Sequence, residues 1–452
     1  MTFEPTLAGF DRDAARADAA WTRWCGRLKT EPGSAGNEEP LAPWRHVAGR
    51  NAYDEVGRLT PTVADAPWKD ALRRWTFELT LRRTSQDLRV SSALAAAEPA
   101  ARLHIDRPRP ISYSQAWDEL LGETEPERVA AYLDAAAQRG PTLAAFAREM
   151  AARRVEVAAR LELAHPLALA TSMSNEALRS AALSVLKATA DLARSLGREA
   201  CRSGSPNAVP GLLGAKVLDA PEGWPSRLTK RWLEEMFGDL ARGLALNVGV
   251  PRALGAASFA RALGGFGYAL RVAGVSRSLP FALARDPHFV DAHRYALVFA
   301  ALPASPAFQR RTLHNVARIA QAQARRLAAA ALFETRSIAV RALLTDEMHS
   351  PRVDAFEELS ASLFGGPLPA GLVGAWPQAR GDEWVRLLAL LTAAPLAEEL
   401  VDRFDDDWFI NPRVVTYLRA RASAPARDAL DLEPPPATAA AHLGARFEQA
   451  LG

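Results

Sequence analysis

Apolar positions recur every three to four residues over segment after segment of this chain, the spacing that puts them on one face of an α-helix. The segments that carry the pattern are Asp11–Leu28, Pro67–Leu88, Pro141–Leu163, Asn175–Arg202, Ser226–Leu244, Arg252–Val272, Pro306–Leu344 and Glu383–Phe404. Ala, Leu, Arg and Glu fill them, all residues that lose little conformational freedom in a helix. Several begin with a start signal: Ser174-Asn175-Glu176 reads as a cap, and Pro67, Pro141 and Pro306 suit a first turn, where a missing N–H costs nothing. Strand signals are scarce; Val217 and Leu218, between glycines and prolines, allow one short strand. The pattern predicts an all-α protein.

Turn-rich stretches punctuate the helices at Glu31–Glu39, Ser203–Pro225, Gly365–Gly374 and Pro434–Ala437. The second of these divides the chain, giving an N-terminal helical half over 1–205, a linker over 206–222 and a C-terminal half over 223–452. No segment repeats at a fixed period, so a solenoid is disfavoured and a large irregular helical body is expected.

Composition narrows the function classes. A chain of 452 residues with 49% hydrophobic and 24% charged residues can bury a sizeable core. Lys and Arg total 55 against 52 Asp and Glu, and the Arg residues are spread along helical segments beside acids instead of forming a basic stripe, which argues against nucleic-acid binding. Cys25 and Cys201 stand far apart in no metal-ligand spacing, so neither a disulfide framework nor a cysteine zinc site is supported. Met1–Asp13 lacks the form of a signal peptide, and the longest apolar run, Leu387–Ala397, is too short to span a bilayer and contains Pro395. A cytoplasmic protein without membrane association is expected.

The C-terminal half carries the informative residues, in Ser258-Phe-Ala-Arg-Ala-Leu-Gly-Gly-Phe-Gly-Tyr-Ala-Leu-Arg271. This string resembles the helix F-x-x-L-F-H-E-F-G-H-A-L-H of the thimet oligopeptidase and oligoendopeptidase F zinc peptidases. Matched on Phe266, Gly267, Ala269 and Leu270, Gly264 stands where the first zinc-binding histidine would be and Gly265 where the catalytic glutamate would be. Tyr268 takes the place of the second histidine and Arg271 that of the trailing one. A second resemblance to that family lies in Glu398-Glu-Leu-Val-Asp-Arg-Phe-Asp-Asp-Asp-Trp-Phe-Ile-Asn-Pro-Arg413 followed by Tyr417-Leu418. Between them, Asp291–Phe299 and Arg325–Arg336 look like the helices bearing the third zinc ligand and its packing, with Asp291 near that ligand's place. The resemblance covers about 223–417 and implies two helical halves around a cleft.

It implies equally that the chemistry is gone. Zinc needs converging nitrogen, sulfur or oxygen ligands, and glycine has none; Gly265 has no side chain to take a proton from water. No zinc or other cofactor is therefore expected. Three glycines within one turn, Gly264, Gly265 and Gly267, also weaken a helix by roughly 0.5–1 kcal/mol each relative to Ala. They indicate either room for a ligand or close packing of another helix. Asp286, His288, Asp291 and His293 crowd one stretch, but His288 and His293 are five apart and fall on different helix faces, so solvated helix-start polar residues are expected rather than a metal site. His314, Glu334 and His349 are further candidates if the fold gathers them. Asp405-Asp406-Asp407 reads as a charged turn, with Trp408, Phe409 and Tyr417 as core anchors. No G-x-S-x-G elbow or phosphate-binding loop is present.

Three functions fit this reading. The first is a pseudopeptidase that binds a peptide, a protein partner such as an active homologue or another enzyme, or a small ligand in the former cleft. The second is an enzyme with new chemistry in the cleft, using Tyr268, Arg271, Asp291, His293 and Tyr295 as acid–base or anion-binding groups. The third is an interaction protein whose cleft has collapsed.

Overall fold

The protein is described from a computed structural model that places residues 5–98, 126–166, 168–169, 173–202, 233, 235–244, 256–347, 358–359, 383–426 and 435–451. Every regular element among them is helical. The longer helices are α1 (Leu7–Thr30), α2 (Arg50–Arg58), α3 (Ala66–Thr84), α4 (Gln86–Ala97), α5 (Pro126–Arg160), α6 (Asn175–Ala188), α7 (Ala190–Arg202), α8 (Ala256–Gly274), α9 (Val290–Ala301), α10 (Ala317–Glu347), α11 (Glu383–Phe404), α12 (Pro412–Ser423) and α13 (Pro436–Leu451).

Start signals locate most ends. Ser174 caps α6 by accepting a hydrogen bond from the Ala177 N–H at 3.2 Å. Pro67 lies in the first turn of α3, and Pro306 opens the short helix Pro306–Arg311 behind a Ser305 cap. Pro141 differs from expectation: it lies inside α5, which begins fifteen residues earlier at Pro126. The expected Pro67–Leu88 helix breaks at Ser85, and Asn175–Arg202 breaks at Thr189. In both cases the hydroxyl is buried and bonds to the carbonyl four residues back. The expected Pro306–Leu344 helix is interrupted where His314 takes a left-handed conformation, φ 56°. The proposed strand at Val217-Leu218, the Ser203–Pro225 and Gly365–Gly374 turns, His349, and Ser226–Trp232 with Glu234 of the expected Ser226–Leu244 helix lie outside the described residues.

Phe10, Ala14, Ala17, Trp21, Trp24 and Leu28 form the buried stripe of α1, at spacings of four and three that keep one face toward a partner. That face packs on Ala71, Leu72, Trp75 and Leu79 of α3. A second core joins α6, α10, α11 and α13, and takes in Ala95 of α4 and Leu143 of α5. Helix α6, early in the chain, thus shares a core with the C-terminal helices. The apolar run Leu387–Ala397 is buried in α11 and spans this core and the next, and among the described residues no helix is long and apolar enough to cross a membrane. The third core is built by α8, α9 and α11 around Phe259, Phe266, Phe299 and Phe308, and holds Trp408 and Phe409. Asp405 turns the chain there with φ 68°, and Asp407 pairs with Arg311 at 3.4 Å, so the acidic run is a charged turn in front of core anchors.

The segment between α8 and α9 is fastened to the N-terminal helices. The Asp11 carboxylate of α1 accepts hydrogen bonds from the Phe281 and Ala282 N–H groups at 2.8 and 2.9 Å, capping the short helix Phe281–Ala284 from a distance. Trp75 donates its indole N–H to the Arg285 carbonyl at 2.8 Å and stacks on Phe281. Arg285 reaches Asp18 at 3.0 Å, and Asp18 also pairs with Arg82, which in turn holds Glu78. Arg82, Asp18 and Glu78 are buried, and a buried charge persists only where partners replace water.

Candidate functional site

Helix α8 and helix α9 lie directly against each other, and the glycines set how close they come. A Cβ at Gly264 would meet the Ala296 carbonyl oxygen and the Ala300 Cβ, each at 3.2 Å. At Gly267 it would lie 2.6 Å from the Tyr295 carbonyl oxygen and 2.8 Å from the Phe299 ring. The bare backbone at these positions is therefore filled by α9, the close-packing alternative of the two that the glycine pattern left open. Gly265 is half-buried beside them.

Arg271 lies in the last turn of α8 and Asp291 in the first turn of α9, the helix ends whose partial charges favour a cation and an anion respectively. The two form a buried ion pair from Nε to Oδ2, with 3% and 4% of their side chains exposed. The remaining Arg271 nitrogens donate to the carbonyls of Ala422 at 2.9 Å and Ala424 at 3.1 Å, tying α8 to the end of α12. Asp291 Oδ1 also lies against the Arg294 guanidinium one turn on. One carboxylate thus carries two guanidinium groups. Burial pulls the pKa of Arg294 below its ordinary value, against the Asp291 charge that raises it.

The other predicted residues separate from this pair. Tyr268 packs its ring on Phe289 at 6.0 Å and edge-on against His293 at 5.4 Å. Tyr295, one turn beyond Asp291, is buried, and its hydroxyl donates to the Leu418 carbonyl at 3.5 Å. Burial first, and then the Asp291 charge, push its pKa well above the ordinary phenol range. His314 is exposed, and Glu334 is an exposed partner of Arg341. The fold does not bring those two into the α8–α9 junction.

A crevice of about 20 Å³, room for roughly one water molecule, opens beside the ion pair and is lined by Arg271, Arg285, Asp286, Phe289, Asp291 and Ala426 among others. Of the seven residues proposed from sequence, Arg271 and Asp291 line it. Asp286, which sequence reasoning placed only among solvated helix-start residues, is instead 4% exposed. Its Oδ2 accepts from the Val290 N–H at 3.3 Å, while Oδ1 has no hydrogen-bond partner. The neighbouring Phe289 adopts φ 55°, a left-handed conformation uncommon for a bulky residue. Burial lowers the pKa of His288, and the charges of Asp286 and Glu78 oppose that shift. The signal available in the sequence was the density of Asp and His over Asp286–His293; which of them would be buried was not in it.

No protein-family profile and no curated protein matches this sequence. Solved structures do share its architecture. A PZ peptidase A determined with an inhibitor superposes with a TM-score of 0.53 at 11% identity, covering 98% of this chain and 86% of that one. An oligoendopeptidase F of Bacillus anthracis strain Ames gives 0.52 at 12% identity, covering 98% and 85%. The chain therefore has the all-helical fold of the oligoendopeptidase F and PZ peptidase type.

The resemblance seen in the sequence implies zinc, and the residues at the resembling positions do not fit it. Gly264 and Gly265 offer no ligand atom, the phenol of Tyr268 is not a usual zinc ligand, and the Asp291 carboxylate is occupied by two guanidinium groups. Among the described residues no group of three or more His, Cys, Asp and Glu is placed to hold a metal ion.

Proposed function

We propose that this chain is a non-cleaving protein of the oligopeptidase fold, a pseudopeptidase that binds a peptide or a partner protein in the cytoplasm. The observation that carries the reading is the occupation of Asp291 by Arg271 and Arg294. Asp291, near the place that the sequence resemblance gives the third zinc ligand, is neutralised by two guanidinium groups, so this carboxylate is engaged in ion pairs at the junction of α8 and α9. The missing general base at Gly265 supports the same conclusion, because without it water is not activated. The scarcity of cysteine is consistent with a reducing compartment.

The second reading, new chemistry in the cleft, would need Tyr268, Arg271, Asp291, His293 and Tyr295 around one water-accessible space. Tyr295 is turned to Leu418 and Tyr268 is packed on His293, which favours binding over catalysis.

The test is elemental analysis of the purified protein together with a quenched-fluorescent peptide assay with added zinc. The expected result is no stoichiometric metal and no chelator-sensitive cleavage. One zinc per chain with cleavage abolished by a chelator would sink the proposal.

A further inference from the structure

Asp286 is a carboxylate of this junction with an oxygen that has neither a hydrogen bond nor an ion-pair partner. Its Oδ2 is used on the first turn of α9, Oδ1 is buried without a hydrogen-bond partner, and the residue is one of those lining the crevice. A buried carboxylate oxygen left unpaired is unfavourable, the more so when charged. The two guanidinium groups that line the crevice are directed elsewhere: all three Arg271 nitrogens serve Asp291, Ala422 and Ala424, and Arg285 reaches Asp18. His288 is held toward its neutral form by burial. The crevice accommodates one group the size of a water, and Val272, Val275 and Ala284 give it an apolar side.

We propose that this crevice is a subsite for the ammonium group of a single protonated primary amine, which donates to Asp286 Oδ1 while the carbon body runs outward past Val272, Val275 and Phe289. An ammonium group matches the charge, the size and the need for a donor. A divalent cation matches less well, because it would need several oxygen ligands and Asp291, the other carboxylate here, is already taken. The subsite stands on the geometry at Asp286. That its occupant is the amino group of a peptide rests on the peptide-binding reading above.

The test titrates n-butylammonium and, separately, n-butanol into the full chain with methyl-labelled valine, following the resonances of Val272 and Val275. Butylammonium is expected to saturate these shifts about tenfold more tightly than butanol, the scale of a charge-assisted hydrogen bond. Asp286→Asn, which keeps an oxygen for the Val290 N–H, is expected to remove the difference. Equal titration by the two compounds in the wild-type protein overturns the proposal and leaves a crevice filled by water, and this comparison does not depend on the variant folding. Persistence of the preference in folded Asp286→Asn overturns it as well. Short lysine-free peptides with free and acetylated N-termini then separate the two readings. Selective binding of the free form supports both. Equal binding of both forms removes the amino group as occupant while leaving peptide binding intact, and butylammonium binding without any peptide binding removes the peptide reading while leaving the subsite.

Discussion

Gly267→Ala tests the contact on which the α8–α9 junction depends. The added methyl would sit 2.6 Å from the Tyr295 carbonyl oxygen, 2.8 Å from Phe299 Cδ2 and 3.0 Å from Phe299 Cβ, well inside the roughly 3.5 Å of an ordinary carbon contact. Neither neighbour moves easily. The carbonyl is part of the α9 backbone, and the Phe299 ring is fully buried between Phe237, Phe266 and Trp408. Overpacking of this kind costs about 1–3 kcal/mol, and contact with two rigid groups puts the cost near the upper end. Replacing glycine by alanine inside a helix returns about 1 kcal/mol, for a net loss of about 2 kcal/mol.

Two further glycines calibrate the measurement. Gly26 lies in α1 with nothing within 4 Å of an added Cβ, so Gly26→Ala is expected to stabilise by about 0.5–1 kcal/mol. Gly264→Ala meets α9 at 3.2 Å, and its propensity gain and packing cost are expected to offset each other to within about 0.5 kcal/mol. Urea unfolding followed by far-ultraviolet circular dichroism orders the three variants, provided the slopes match the wild type. If Gly267→Ala were as stable as Gly26→Ala, α8 and α9 would not be in the close contact described.

Two other outcomes follow from the same junction. Arg271→Met removes one of the two cations on Asp291 and leaves two carbonyls without their donor, for an expected loss of about 3 kcal/mol. Arg271→Lys should recover less than half of it, because one ammonium cannot serve the carboxylate and both carbonyls together; unfolding in urea gives both values, and no loss in Arg271→Met would remove the ion pair from the account. His288 provides a pH dependence: its folded pKa lies below the unfolded value of 6.5, so below that pH the unfolded chain binds a proton that the folded chain resists. Stability is therefore expected to fall as pH drops below about 6.5, and the fall should be smaller in His288→Asn. The charged groups around this histidine are Asp286, Glu78, Arg154 and Arg74, and a profile identical in the variant and the wild type would remove His288 as its source.

Much of the helical content was legible because it is local. The α1 stripe, the Ser174 cap, the start at Pro306 and the bounds of α11 all follow from spacing and end chemistry within a turn or two. The misses have local causes of a subtler kind. Pro141 was taken as a start and is a helix interior, and the breaks at Ser85 and Thr189 come from buried hydroxyls turned back on their own helix. Of the site, sequence reasoning found Arg271 and Asp291 through a resemblance but not that they are partners.

The sequence by itself determined an all-helical chain, the positions of its apolar faces, and the presence of glycine and tyrosine where zinc chemistry would need histidine and glutamate. Tertiary structure alone decided what those residues do. A glycine does not announce whether its empty side faces a ligand or a helix, and here it faces the backbone of α9. Asp286 and Asp291, five residues apart and identical in chemistry, differ because one carboxylate forms ion pairs with two guanidinium groups and the other keeps a buried oxygen with no ion-pair partner. Arg294 is one turn from Asp291, but Arg271 comes from α8, and the segment is fastened by α1, α3 and α12, elements distant in the chain that no local pattern around these residues encodes.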